Sequence, residues 1–151
     1  MLQFPALSDG SVHLWGLSAV AFYLSPLLKG ENALQQAQVL QWLNLAEQEV
    51  LPAVLSMLTP AGTSGRAGAA RARLEVLRQL TALDALLLNR TYLVGEKVTL
   101  SDVAVCCALL PAFQKAFGAA ERSSVKNVMR WMNTIVHQPA VQSVIGEVKY
   151  F

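Results

Sequence analysis

The sequence predicts an all-α helical bundle preceded by a short β-hairpin. Three observations lead there. Apolar residues recur at helical spacing in six segments between residues 18 and 148. Before residue 17 the period is that of strands, around a turn cluster, Ser8-Asp9-Gly10. The 151 residues suffice for one domain with a sizeable core. At 54% hydrophobic and 15% charged, the chain is too apolar for disorder and leaves a sticky face. The net charge of +2 carries no nucleic-acid footprint.

FPAL and SVHL flank the turn cluster and form the hairpin, within residues 1–16. The helical part is residues 17–151. A first helix runs from Ser18 to Leu28 and stops at Gly30. A second runs from about Asn32 to Leu58, with Val39, Leu43, Ala46, Val50 and Val54 as its stripe and a kink expected at Pro52. TPAGTSGRAG then reads as a loop. A third helix, about Ala69 to Asn89, carries Val76, Leu80, Leu83 and Leu87. The fourth starts near Leu100. The fifth, about Val125 to His137, turns Val125, Val128, Met129, Met132, Ile135 and Val136 one way. The sixth starts at Pro139, which suits a first helical position, and Val141, Val144, Ile145 and Val148 complete its apolar face.

TYLVGEKVTLSDVAV places a polar pair, Thr99 and Asp102, ahead of the most hydrophobic run. Thr99 fits as an N-cap, and Asp102 can reach back to the Thr99 N–H, a capping box with Asp in the Glu place. The run VAVCCALLPAF is apolar all round, so this helix is expected to be central and buried on every side. A buried helix start cannot rely on water for its orphan donors. The pair therefore reads as structural. A catalytic Asp102 would need a His or a second carboxylate nearby in sequence, and none is there.

Other candidate chemistry is thin. Adjacent Cys106 and Cys107 lack the spacer of a metal-ligand pair and make no disulfide framework. They read as small core residues in a reducing, cytoplasmic setting. His13 and His137 are far apart, and GTSGRAG lacks the lysine and preceding strand of a phosphate loop. No metal, cofactor or catalytic residue is expected. VHLWGLSAVAFYLSPLL has no basic residue before it and is interrupted by Gly16, Ser18, Ser25 and Pro26, which argues against a signal or a membrane span. Arg66, Arg71, Arg73 and Arg78 form a basic cluster that reads as a solvated helix face, with tRNA contact as the sharper alternative. On the fifth helix Lys126, Arg130, Asn133, Thr134 and His137 make a polar stripe opposite the apolar one.

Tyr92-Leu93-Val94-Gly95 followed by Thr99-Leu100-Ser101-Asp102 resembles the C-terminal helical domain of the glutathione S-transferase fold. The likeness extends back through Gln41-Trp42-Leu43 and forward through Asn127-Val128-Met129-Arg130-Trp131 and Gly146-Glu147-Val148. Those last motifs are similar to the transferase-like domains of the translation apparatus, as in valyl-tRNA synthetase and the gamma and epsilon subunits of elongation factor 1. By that resemblance the hairpin is a remnant of the thioredoxin-like half that binds glutathione. The part of that half bearing the catalytic Tyr, Ser or Cys is not in this sequence. Gly16-Leu17 stand where transferases carry Glu-Ser or Gln-Ser to hold the glutamyl end of glutathione, and these side chains cannot hydrogen-bond a carboxylate.

The resemblance implies a non-enzymatic protein–protein docking domain for an aminoacyl-tRNA synthetase or elongation factor 1 subunit. Its expected partners are other transferase-like domains of those assemblies, including a second copy in a homodimer, with weak tRNA contact and no membrane. By the resemblance, transferase-like domains in multi-synthetase assemblies pair through the helix matching the fifth one here and the loop before it, with the arginine of the Arg-Trp motif, here Arg130, at the contact. A planar guanidinium that stacks and bonds at once suits that contact. Replacing Arg130 by Ala is expected to weaken partner capture without unfolding the domain. A second face, used in transferase dimers, would draw on Leu17, Phe22, Tyr23, Leu27 and Trp42. The alternative from the enzyme class is a transferase fragment completed by another chain.

Overall fold

Leu7 faces Leu14 across an antiparallel hairpin whose register pairs Ala6 with Trp15 and Asp9 with Val12. The strands are β1 (Ala6–Asp9) and β2 (Val12–Trp15). Ser8 Oγ meets His13 Nδ1 at 3.0 Å across the pair, so His13 is engaged within the hairpin. This is a computed structural model, and it describes residues 5–59 and 65–151. The described part follows the order β1, β2, α1 (Leu17–Leu24), a 3-10 turn (Pro26–Leu28), α2 (Ala33–Leu45), a π-turn (Ala46–Val50), α3 (Leu51–Leu58), α4 (Gly65–Leu87), α5 (Leu100–Lys115), α6 (Ala119–Ser124), α7 (Lys126–Val136) and α8 (Pro139–Ile145). Among the described residues no helix is long and apolar enough to cross a membrane.

The apolar stripes pack as their periods require. Val39, Leu43, Ala46, Val50 and Val54 are all buried, as are Val76, Leu80, Leu83 and Leu87. The α7 stripe is buried except Met129, which is half-buried. Helix α5 lies between α2–α3 on one side and α7 on the other.

Several boundaries differ from the periodic reading. The first helix breaks at Ser25, because Pro26 has no N–H to continue it and pushes the preceding residue out of the helical region. The kink expected at Pro52 is absorbed one turn earlier. Ala46–Val50 widen into a π-turn, with the Leu51 N–H donating five residues back to the Ala46 carbonyl. Of the expected loop, residues 60–64 lie outside the described residues, while Gly65–Gly68 already belong to α4. Val144 is 84% exposed and Val148 lies beyond the end of α8, so the sixth apolar face is only partly used.

Short α6 has no periodic signal in the sequence and is set by its neighbours. Arg73 donates to the Ala116 carbonyl (3.2 Å), pairs with Glu121 and lies over the Phe117 ring. It thereby ties α4 to the end of α5 and the start of α6. Glu121 also accepts from the Gly118 N–H (3.0 Å). Helix-terminal N–H groups together with Arg73 hold its carboxyl below the usual carboxylate range. After α8 the chain returns to α5: the Phe151 N–H donates to the Phe113 carbonyl (2.9 Å), and Arg122 holds the Phe151 carbonyl.

Candidate docking surfaces

Asp102 is fully buried. Its Oδ1 accepts from the Leu93 N–H and the Trp131 Nε1–H, both at 2.9 Å. Its Oδ2 accepts from the Thr99 N–H (2.9 Å) and the Thr99 hydroxyl (3.0 Å). The reach-back half of the capping box is thus well formed. The other half is looser: the Thr99 hydroxyl sits in capping position without a good bond to the first-turn amides. One carboxylate joins the Tyr92–Gly95 turn, the start of α5 and α7.

Within Asn127-Val128-Met129-Arg130-Trp131, Asn127 and Arg130 anchor α7 to α4 and its C-terminal end, and Trp131 anchors it to the start of α5. Trp131 reaches Asp102. The Asn127 side chain donates to Asp84 Oδ2 (2.9 Å), while the Asn127 and Val128 N–H groups donate to Asp84 Oδ1 (2.7 and 3.0 Å). Asp84, which sequence reasoning missed, caps α7 from the neighbouring helix. It is an isolated acid on a helix face, and its partners lie 43 and 44 residues away.

Lys126, Arg130, Asn133 and His137 share the exposed face of α7, with Thr134 half-buried beside them. Much of this stripe is engaged internally. Arg130 donates through Nη2 to the Leu87 (2.7 Å) and Arg90 (2.9 Å) carbonyls, satisfying the C-terminal end of α4. Asn133 Oδ1 accepts from the Tyr150 hydroxyl (2.9 Å). The Thr134 hydroxyl donates to the Arg130 carbonyl (3.0 Å), and His137 Nδ1 lies 2.7 Å from the Asn133 carbonyl. The expectation for Arg130 therefore needs a structural term. Arg130→Ala should cost about 1–2 kcal/mol of stability while the domain stays folded. Chemical denaturation followed by circular dichroism checks this, and an unchanged midpoint would exclude the capping role.

The second predicted group is divided. Leu17 (49%), Tyr23 (45%) and Leu27 (95%) are exposed along α1 and the 3-10 turn, joined by Trp15 (53%) and Leu24 (59%), which sequence reasoning left out. Phe22 is half-buried, with Lys29 Nζ 4.8 Å from its ring centroid. Trp42 is elsewhere: it lines a groove between α2 and α4 with Leu45, Gln79 and Leu86. Leu43, its neighbour on α2, lines a separate apolar groove with Leu17, Ala46 and Cys107. Gly16 starts α1 at φ 87°, a backbone state that side-chain-bearing residues rarely adopt.

Cys106 is buried, whereas Cys107 is exposed on the open side of α5, so this helix is not covered all round. Burial, reinforced by the neighbouring Cys107 and Asp102, pushes the Cys106 thiol far above its ordinary value, and burial raises Cys107 as well. Cys106 is expected not to react with Ellman's reagent until unfolding, whereas the exposed Cys107 reacts in the native protein. Fast labelling of two thiols in native protein would contradict this burial. Among the described residues, no three His, Cys, Asp or Glu side chains converge to hold a metal.

Comparison with known proteins agrees with this architecture. The family described as "Glutathione S-transferase, C-terminal domain" matches residues 46–139. Elongation factor 1-gamma of Artemia salina is 38% identical over 152 residues, covering 97% of this chain and 35% of that protein. A probable elongation factor 1-gamma of Caenorhabditis elegans is 41% identical over 143 residues (93% and 34%), and the human protein 37% over 154 (97% and 35%). The chain thus spans about a third of the length of these relatives. In three dimensions it resembles the GST-like domain of elongation factor 1-gamma from Saccharomyces cerevisiae, at TM-score 0.84 and 22% identity, covering 98% of this chain and 74% of that one. The buried Asp102 cap, the helices packed around α5 and the match over 46–139 have one reading: the chain belongs to the glutathione S-transferase C-terminal domain family.

Proposed function

We propose that this is a non-catalytic docking domain that tethers an aminoacyl-tRNA synthetase or elongation factor 1 subunit within a cytoplasmic translation assembly. The observation that carries the reading is the run of exposed apolar side chains from Trp15 to Leu27, of which Leu27 alone is 95% exposed. Exposed apolar residues gathered in one place, rather than scattered singly, mark interaction sites. Similarity to elongation factor 1-gamma over 93–97% of the chain supports the translational setting. In this reading residues 1–16 are the tail of a thioredoxin-like half and 17–151 the helical docking part. The outer face of α7, with Lys126, Asn133 and His137, is the second contact. Arg130 takes part there with the edge of its guanidinium that does not face the α4 carbonyls.

The glutathione-enzyme alternative is disfavoured by Gly16-Leu17, whose side chains offer no hydrogen bond to a carboxylate. The tRNA alternative is weakened because Arg73 and Arg78 are engaged with Glu121 and Glu75.

The test is capture of translation subunits from lysate, identified by mass spectrometry. Wild-type protein should retain a synthetase or elongation factor 1 subunit. The double variant Tyr23→Glu, Leu27→Glu should lose at least about tenfold, since introduced charges at an apolar contact each cost on the order of a kcal/mol or more. Retention on immobilised glutathione with measurable thiol transfer would overturn the docking reading. So would failure to capture any translation subunit.

A further inference from the structure

Two exposed serines, Ser123 and Ser124, close the short helix α6, and the run Arg122-Ser123-Ser124-Val125-Lys126 sets a base on either side of them. The other exposed helical serines, Ser56 and Ser143, have no Lys or Arg close by in sequence. Ser123 lines a shallow hollow between α6 and α7 with Ala119, Arg122, Lys126 and Met129. Its hydroxyl donates to the Ala119 carbonyl at 2.8 Å. Ser124 donates to the Glu121 carbonyl at 2.7 Å and is not part of that lining. Arg122 spends Nη1 on the Phe117 and Phe151 carbonyls, which fixes the guanidinium in place and leaves Nε and Nη2 without a partner among the described residues. Lys126 makes no ion pair among the described residues. The carboxylates of the adjoining elements are turned elsewhere: Glu121 to Arg73 and the Gly118 N–H, Asp84 to Asn127 and Val128. The hollow therefore holds two cations, one hydroxyl and no carboxylate.

We propose that Ser123 is a phosphorylation site and that this hollow is the cradle of its phosphate. The transfer forms the Ser123 Oγ–P bond, breaks the bond from the γ-phosphorus of ATP to its β–γ bridging oxygen, and releases ADP and the hydroxyl proton. Bases on both sides of the serine suit a kinase whose own cleft is acidic. A helix as short as α6 is not stable by itself, and the chain already leaves helical geometry at Val125 (φ −127°, ψ 58°). Its last turn can therefore open into the kinase cleft while the Arg73–Glu121 pair holds its start. The phosphate brings a charge of about −1.5 to −2 and three acceptor oxygens. Lys126 and the free edge of Arg122 supply charge-assisted hydrogen bonds to them. Those bonds replace the lost Ser123–Ala119 bond and tie α6 to the first turn of α7. The carbonyl end of α6 opposes the phosphate and the amide end of α7 favours it, so the two cations decide the sign. The inference is independent of the docking reading, and its failure would leave that reading untouched.

Two measurements on the full chain test it. In the first, a panel of basophilic serine/threonine kinases with magnesium ATP is applied to the folded protein, and mass spectrometry maps the product. One phosphoryl group should enter at Ser123, be lost in Ser123→Ala and persist in Ser124→Ala. No incorporation, incorporation at Ser124 alone, or incorporation at Ser123 only after unfolding in urea overturns the site. In the second, phosphoserine is encoded at position 123 and its phosphorus resonance is titrated with pH, which needs no kinase. Free phosphoserine loses its second proton near pH 6. In the cradle the phosphate should be at least about threefold more acidic, because both neighbouring cations favour the dianion. Lys126→Ala, an exposed change, should bring it back toward the free value, and so should urea. Circular dichroism verifies that each variant is folded. A phosphate no more acidic than free phosphoserine, or one indifferent to Lys126→Ala, overturns the cradle.

Discussion

Asp102→Ala is expected to leave the domain largely unfolded at physiological temperature. The substitution removes a fully buried acceptor of four hydrogen bonds. It strands the Leu93 and Thr99 N–H groups and the Trp131 indole N–H away from water. Each unsatisfied buried donor costs about 1–3 kcal/mol, and a domain has only about 5–15 kcal/mol to lose. Asp102→Asn keeps the shape but turns an NH2 toward donors, so a smaller loss of about 3 kcal/mol is expected with the fold retained. Urea denaturation followed by circular dichroism and tryptophan fluorescence reads both. If the alanine variant unfolds at the wild-type midpoint, the carboxylate is not the structural hub described above.

Asp84→Ala is expected to cost about 2 kcal/mol, more than an ordinary surface substitution, because one side chain accepts two backbone N–H groups and an amide at the start of α7. The effect should be local as well as global. Hydrogen exchange at Asn127 and Val128 should accelerate, while amides in the middle of α5 change only through the lowered overall stability. Asp84→Asn keeps one acceptor oxygen for the backbone donors and should lose less. Unchanged exchange at both amides would show that α7 is capped by something other than Asp84. Any capture experiment on the α7 face needs this control, since Arg130 positions the helix it would be used to probe.

Legibility differed by the range of the interaction. The stripes of α2, α4 and α7 were readable because i, i+3 and i+4 neighbours are close whatever the rest of the chain does. The start of α5 was readable because a capping box spans four consecutive residues, Thr99 to Asp102. The break at Ser25 was missed although Pro26 announces it locally. The π-turn was missed because Pro52 reveals a lost bond without indicating where the helix will absorb it.

The candidate surfaces were legible in composition and less so in placement. Leu17, Tyr23 and Leu27 are exposed as expected, whereas Trp42, one residue before Leu43, turns into a different groove. A 100° step around a helix separates two neighbours onto two faces, and only packing decides what each face meets.

The sequence by itself determined the hairpin, most of the helices, the stripes that make the core and the structural role of Asp102. These follow from backbone chemistry and local period. The tertiary structure alone decided which long-range donors meet which acceptors. Trp131 closes on Asp102 across 29 residues, Asn127 on Asp84 across 43, and Arg130 on the end of α4. It also decided that apolar α5 keeps an open side above Glu47. A helix apolar all round states that every side must be covered. The sequence around it does not supply the geometry that leaves one side open.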